Sequence, residues 1–303
     1  METIYIKNNN IVRLPKPVCA AIGNFDGVHL GHQKLIEECK RHGYKSAVLT
    51  FYPHPSVFLK KIPNYPLVTP IEHKIDIIGR MGIDYLIIIE FNDEVADISK
   101  EAFIQMMKQM NIVSCVCGYD FTFGRKALGN IRDLENEFEF YEIKKYVFDD
   151  VRVSTTYIRE LLQIGNVETA AKLLGRNYSI IGNVIHGSKL GRIIGFPTAN
   201  VDYVNYFLPA NGVYFVTVNI DNVLYFGMCN IGNNPTFNFS HNKRVEVNIF
   251  GLDTDLYGKK IEVVFYNKIR EEKQFKSKEE LIEQLNIDKK TCLNLSKKLN
   301  FTK

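Results

Sequence analysis

The sequence predicts an α/β domain built on a parallel sheet, followed by a mainly β domain with a terminal helix. Three observations carry that reading. From residue 11 to about 150, continuous apolar runs of strand length alternate with stretches of helical period, the pattern of a parallel sheet covered on both faces. From Tyr178 the texture changes to short β-rich runs separated by turn signals, the pattern of an antiparallel barrel or sandwich. The chain has 303 residues, 46% of them apolar, which is enough for two domains each with a core of its own. The boundary falls near 175–180, and we draw the domains as 1–176 and 177–303.

In the first domain the strand candidates are Val18–Ile22, Ser46–Phe51, Tyr85–Phe91 and Ile112–Cys117. The helix candidates between them are Gly31–His42, Ile71–Gly82 and Lys100–Met110. Parallel sheets bind ligands beyond the carboxyl ends of their strands. Three segments rich in Gly, Pro or polar residues follow strands: Gly23–His32, Thr50–Pro55 and Gly118–Gly129. Residues 151–175 read as two helices. Ser154 or Thr155 caps one that runs through Ile158, Leu161 and Leu162 to Gly165, and Asn166 starts another that ends at Gly175. The β-rich runs of the second domain are Tyr178–Ile185, Gly212–Ile220, Val223–Ile231, Arg244–Phe250 and Lys260–Phe265. Asp221-Asn222 and Tyr257-Gly258-Lys259 mark turns between them. Ser277–Leu299 reads as the closing helix, with Ser277-Lys278-Glu279-Glu280 as a capping box.

Composition narrows the classes of function. A net charge of +4 spread over this length is a weak excess. It does not argue for nucleic acid and suits anionic small substrates. No stretch approaches the ~18 apolar residues of a membrane helix, and Met1-Glu2-Thr3-Ile4 lacks the basic and apolar regions of a signal peptide. The six cysteines (Cys19, Cys39, Cys115, Cys117, Cys229, Cys292) form no C-x-x-C pair. They are expected to be buried reduced thiols in a cytoplasmic protein rather than a zinc site. The expected partners are small molecules, with neither nucleic acid nor membrane; self-association stays open.

Gly23-Asn24-Phe25-Asp26-Gly27-Val28-His29-Leu30-Gly31-His32 is the most informative stretch. It joins a strand to a helix, and a helix N-terminus favours phosphate through its N–H groups and dipole. Two histidines three apart face the same side of that helix and can donate to phosphate oxygens. Gly23, Phe25, Asp26 and Gly27 shape the loop that would receive those phosphates. The pattern resembles the HxGH signature of the nucleotidyltransferase superfamily. Thr50-Phe51-Tyr52-Pro53-His54-Pro55 is, taken alone, a rigid loop with an aromatic rim. Gly118-Tyr119-Asp120-Phe121-Thr122-Phe123-Gly124 holds aromatics that would either flank a flat ring or pack a core. Val153-Ser154-Thr155-Thr156-Tyr157-Ile158-Arg159 gathers hydroxyls and an arginine at a helix start, which suits either a polyphosphate or an ordinary cap.

In this order the segments resemble the FAD synthetase module of bacterial bifunctional riboflavin kinase/FAD synthetases. The resemblance implies a Rossmann-like nucleotidyltransferase domain in which the FMN phosphate attacks the α-phosphorus of ATP and pyrophosphate leaves. His29 and His32 would hold the triphosphate, Arg159 would neutralise the leaving pyrophosphate, and Ser154, Thr155 and Thr156 would donate to the same oxygens. Pro53, Pro55, Asp120 and Phe123 would border the flavin.

The second domain carries Gly187-Ser188-Lys189-Leu190-Gly191-Arg192-Ile193-Ile194-Gly195-Phe196-Pro197-Thr198-Ala199-Asn200 after its first β-rich run. Glycines spaced by basic residues can wrap phosphates, through Gly187, Lys189, Arg192, Gly195 and Pro197, and the same spacing also suits a plain β-turn loop. Thr198 and Asn200 offer neutral oxygens that suit a hard cation. Glu246 shares a strand face with Asn248 and can take a hydroxyl proton during phosphoryl transfer. These residues, with Leu208–Tyr214, Asn230–Phe237, Asp255–Gly258 and Ile269–Glu272, resemble the riboflavin kinase module. The resemblance implies a six-stranded antiparallel barrel, Thr198 and Asn200 on Mg²⁺–ATP, Glu246 as base for the riboflavin 5′-hydroxyl, and Arg270 in a mobile loop over the flavin. Asn248 departs from the histidine that this family carries two residues after the glutamate. The expected enzyme phosphorylates riboflavin to FMN and adenylylates FMN to FAD, with ATP as co-substrate. Two other readings are an FAD synthetase with an impaired kinase domain and a flavin-sensing regulator that contacts RNA.

Overall fold

The computed structural model describes residues 1–7, 10–60, 65–187, 190–233 and 243–299. Its contacts divide into two compact units, Met1–Tyr157 and Ile158–Lys303. In chain order the elements are β1 (Glu2–Ile6), β2 (Val18–Ile22), α1 (Leu30–Cys39), β3 (Lys45–Tyr52), α2 (Pro55–Lys60), α3 (Ile71–Gly79), β4 (Tyr85–Glu90), α4 (Asp93–Ala96), α5 (Lys100–Gln109) and β5 (Ile112–Gly118). Next come β6 (Thr122–Phe123), β7 (Gly129–Asn130), α6 (Ile131–Glu135), β8 (Glu139–Ile143), β9 (Val147–Phe148), β10 (Val151–Arg152), α7 (Thr155–Gln163) and α8 (Val167–Leu174). The remainder are β11 (Ser179–Ile185), α9 (Leu190–Ile193), β12 (Ala199–Tyr203), β13 (Gly212–Ile220), β14 (Val223–Asn233), β15 (Lys243–Ile249), β16 (Lys260–Arg270) and α10 (Lys278–Ser296).

The first unit is a six-stranded sheet in the order β1-β4-β3-β2-β5-β8. Every pairing in it is parallel. Both faces are buried. Val18, Ala20 and Ile22 of β2 pack with Phe103 and Met107 of α5, while Cys19 and Ala21 pack with Ile36 and Cys39 of α1. Double burial explains why these strands read as unbroken apolar runs. The sequence reading missed β1 and β8. Both lie at sheet edges with partly exposed side chains, so neither shows such a run. The chain lays down β2, β3 and β4 in one direction, then returns to place β5 on the other side of β2. The order thus reverses between β2 and β5, and ligands of parallel sheets bind beyond the carboxyl ends of the strands at such a point. The Gly23–His32 and Gly118–Phe123 segments leave the sheet there.

The second unit is a closed antiparallel barrel in the order β11-β12-β15-β14-β13-β16. Sequence patterning showed five of these strands. The sixth, β12, was hidden because it begins inside the Pro197-Thr198-Ala199-Asn200 motif. Cys292 of α10 packs into the barrel core with Phe196, Phe215 and Met228. Ser277 caps α10 by accepting from the Glu280 amide at 3.2 Å, but the Glu280 carboxylate reaches back to Lys276 N rather than to the cap itself. Asn166 caps α8 as expected, and Gly175 ends it in the left-handed conformation (φ 69°). The helical stretch from Ile158 belongs to this unit. Ala210 N donates to Leu162 O at 2.8 Å, and Asn267 donates to Glu168 at 2.9 Å. Packing therefore divides the chain ahead of the 176/177 boundary drawn from its texture.

Candidate active sites

In the first unit the loop between β2 and α1 is wound tightly. Phe25, Gly27 and Val28 all have positive φ (49°, 86° and 42°). For a β-branched residue such as Val28 that is a strained state, which surrounding contacts must hold. Several do. The Asp26 carboxylate accepts from Thr69 N at 2.9 Å, its main-chain oxygen accepts from Thr155 Oγ1 at 2.8 Å, and Gln33 Nε2 donates to Val28 O at 2.9 Å. His29 is the N-cap of α1: its Nδ1 accepts from His32 N at 3.2 Å, which leaves the ring proton on Nε2. The two imidazoles stack with centroids 3.6 Å apart and planes at 13°. A Cβ at Gly31 would lie 3.2 Å from the His29 ring, so glycine there gives the stack its room. Phe25 is fully buried and meets His32 edge-on at 5.2 Å, which makes its side chain a support for the imidazole.

The other predicted residues have varied settings. Pro55 starts α2, where a missing N–H costs nothing; Pro53 precedes it and is half-buried. Asp120 is exposed and pairs with Arg152 at 2.6 Å. Phe123 points into the core against Phe103 (5.1 Å), while half-buried Phe121 stacks on it at 5.9 Å. Of the two rings, Phe121 is the more accessible, a distinction that the motif does not show. Ser154 Oγ caps α7 by accepting from Tyr157 N at 3.2 Å. Thr155 ties the helix start to the Asp26 carbonyl, and Thr156 is exposed. Arg159 lies one turn beyond Thr155 on α7, with its guanidinium 4.3 Å over the Phe207 ring.

In the second unit β12, β15 and β14 run side by side. The register pairs Asn200 with Glu246 and Glu246 with Asn230, so the three lie in one row across the barrel. A cavity of about 260 Å³ opens beside them, lined by Thr198, Glu246, Asn248 and Arg270 among others. Burial pushes the Glu246 carboxyl above its ordinary value, and the Arg244 guanidinium 3.3 Å away partly pulls it back. A raised pKa in a lined cavity suits a carboxylate that must accept a proton. Asn248 donates from Nδ2 to Pro197 O at 2.7 Å, which pins the residue next to Thr198. The Asn200 amide lies over Gly187, where a Cβ would come within 2.1 Å of it. Leu190–Ile193 forms one helical turn closed by Phe196 N donating to Gly191 O at 2.8 Å, rather than a β-turn loop. Arg192, Gly195 and Pro197 are exposed around that turn. Lys189, and Asn234–Phe237 of the expected kinase motif, lie outside the described residues.

Arg270 departs from its expected setting. It ends β16 rather than lying in a loop, and its Nε donates to both oxygens of Asp288 at 3.0 Å. Asp288 on α10 is 1% exposed and also accepts from Gln284. Sequence reading missed Asp288 and Arg244, and gave Asn230 a place in a motif but no role of its own. An aspartate in mid-helix was the available signal for the first, and the alternation Arg244-Val245-Glu246 for the second.

A riboflavin kinase family model matches residues 174–296, and an FAD synthetase model matches residues 12–160. Among curated proteins, the bifunctional riboflavin kinase/FMN adenylyltransferase of Bacillus subtilis is 42% identical over 290 residues, covering 90% of each chain. The protein of that name from Escherichia coli K12 is 33% identical, covering 94% of this chain and 95% of its own. A solved structure from Streptococcus pneumoniae, described as a macrolide-efflux protein, superposes with a TM-score of 0.89 at 32% identity over 97% of this chain and 99% of its own. That description stays with that protein; among the described residues here no helix is long and apolar enough to cross a membrane. Two domain models in the expected order, and relatives that match nearly end to end, establish that the chain belongs to the bifunctional riboflavin kinase/FMN adenylyltransferase family.

Proposed function

We propose that the two activities of the family, riboflavin phosphorylation to FMN and FMN adenylylation to FAD, are carried by the two constellations described above, with ATP and Mg²⁺ as the nucleotide partner in both. The functional division is 1–176 for adenylylation and 177–303 for phosphorylation. The observation that carries the assignment is the largely buried carboxylate Glu246 on the cavity wall with Thr198 and Asn230, and with Asn200 paired beside it on the neighbouring strand.

In the kinase site the riboflavin 5′-oxygen bonds to the γ-phosphorus of ATP, the bond from that phosphorus to the β-phosphate oxygen breaks, and the hydroxyl proton passes to Glu246. Thr198 and Asn200 supply a hydroxyl and an amide oxygen beside a carboxylate, an all-oxygen set that fits Mg²⁺. Bound there with ATP, the cation neutralises phosphate charge. Arg270, held by Asp288, presents a fixed cation at the same cavity. Asn248 pins Pro197 by donating from a neutral amide, a task that needs no titratable group, so the departure from histidine is compatible with an active kinase.

In the adenylylation site an FMN phosphate oxygen bonds to the α-phosphorus and pyrophosphate leaves. His29 and His32, presented at the α1 N-terminus, hold the triphosphate by donating to its oxygens. Gly23, Asp26 and Gly27 shape the receiving loop, and Ser154, Thr156, Arg159, Pro53, Pro55 and Asp120 keep the roles that the family pattern implies; Thr155, which donates to the Asp26 carbonyl, and Phe123, which packs under Phe121, support the site from behind. Six buried free cysteines suit a reducing, cytoplasmic setting. A product time course from riboflavin, ATP and Mg²⁺ tests the whole reading: FMN should appear first and FAD follow. FAD formed only when FMN is supplied would sink the kinase assignment.

A further inference from the structure

Lys74 of α3 is 2% exposed, yet nothing in the assignments above uses it. Its Nζ donates to the main-chain oxygen of Asn24, at the head of the strained loop, at 2.6 Å. That oxygen already accepts from Thr50 Oγ1 at 3.2 Å, so the carbonyl would not be left unpaired without the lysine. Burying an ammonium is unfavourable, and a methionine or leucine fills such a space more cheaply. Asp26, two residues along the loop, is the one charge whose attraction toward Lys74 is resolved, and its pull only partly offsets burial. A costly charge sits beneath the one loop of this unit that ends in two stacked histidines.

We propose that Lys74 is a positioning residue of the adenylylation site: its buried ammonium holds the Asn24 carbonyl inward and places fixed positive charge beneath the loop that receives the ATP phosphates. The proposal rests on the reading that the Gly23–His32 loop is the triphosphate site. Fixed charge in a water-poor setting acts on phosphate oxygens more strongly than a solvated surface lysine. It also opposes relaxation of the positive-φ residues Phe25, Gly27 and Val28.

A titration signature follows. Burial lowers the Lys74 pKa to about 8. Asp26 in the loop is the charged group that acts on Lys74, and His73, also buried, precedes it on α3. The β3 strand contributes the uncharged Thr50. Deprotonation keeps a donor for Asn24 but removes the charge, so FAD formation should fall as pH rises through about 8.

The test uses the full chain, with FAD formation from FMN and ATP and FMN formation from riboflavin measured on the same samples below and above that pH. Wild type should lose FAD formation on the alkaline side and keep FMN formation. Lys74→Arg, whose charge does not titrate in this range, should abolish the alkaline fall. Lys74→Met should lower kcat/KM for FAD synthesis by about tenfold to a hundredfold, as loss of an outer supporting group does. That loss should fall on KM for ATP rather than for FMN, with an unfolding midpoint no lower than wild type. A Lys74→Met enzyme that makes FAD at the wild-type rate overturns the proposal, as does an unchanged alkaline fall in Lys74→Arg. His29→Ala separates the two levels. If it also makes FAD normally, the triphosphate assignment itself fails; if it is inactive while Lys74→Met is normal, only the role of Lys74 fails.

Discussion

At the residue scale, both sites rely on small polar groups held by covalently distant neighbours. His29→Ala or His32→Ala should cut FAD formation by about a hundredfold, the usual cost of one preorganised donor to a charged oxygen, while FMN formation is spared. Parallel loss of both activities in a folded variant would contradict that separation. Gly31→Ala should also impair FAD formation, less severely, because its methyl would press on the His29 ring. In the kinase site the sign of the pH effect follows from Glu246. A base must be ionised, and burial has raised the pH at which Glu246 becomes so. FMN formation should therefore decline, as pH falls, at a pH above the ordinary carboxylate range. Arg244→Gln removes the opposing cation and should move that decline to still higher pH; an unmoved profile would show that Arg244 does not act on Glu246. The Arg244 Nε is buried and without a hydrogen-bond partner among the described residues.

At the element scale, α10 does more than close the barrel. Its Asp288 carries a bidentate pair to Arg270 at the cavity edge. Asp288→Ala leaves the Arg270 guanidinium, 19% exposed, without its counter-ion and should cost about 3 kcal/mol of stability. Denaturant unfolding of the variant checks this, and its KM for riboflavin should rise while FAD formation from FMN persists. Lys74 on α3 has the opposite sign. Its folded pKa of about 8 lies below the 10.5 of an ordinary lysine, so between those values the unfolded chain binds more protons. The first unit should therefore gain stability as pH rises through that window, and its burial cost is complete below it. Lys74→Met should abolish this dependence, which a pH series of unfolding curves would read directly.

At the scale of the whole molecule, two constellations on one chain make a testable division of labour. A His29→Ala enzyme should accumulate FMN from riboflavin, and a Glu246→Gln enzyme should make FAD only from supplied FMN. Mixed together, the two variants should restore FAD formation from riboflavin, because FMN made by one can reach the other through solution. A mixture that stays at FMN would show instead that FMN does not leave the chain that made it.

Much of this architecture was legible in the residues. The four inner strands of the sheet read clearly because each is buried on both faces, and the Gly23–His32 loop because strand, glycines, histidines and helix follow one another without a gap. Local order also placed the caps at Asn166 and Ser277, since capping depends on neighbours within a turn. The edge strands β1 and β8 were not legible: an exposed edge needs no apolar run. Nor was β12, whose residues serve a motif and a barrel at once. What only the tertiary structure decided are the pairings between residues far apart in sequence. Arg270 is clamped by Asp288, Asn248 reaches Pro197, Phe123 turns inward while Phe121 stays accessible, and Lys74 lies beneath Asn24. Spacing along a chain records helix turns and strand alternation, whereas these contacts depend on how barrel and sheet close, which no local pattern encodes.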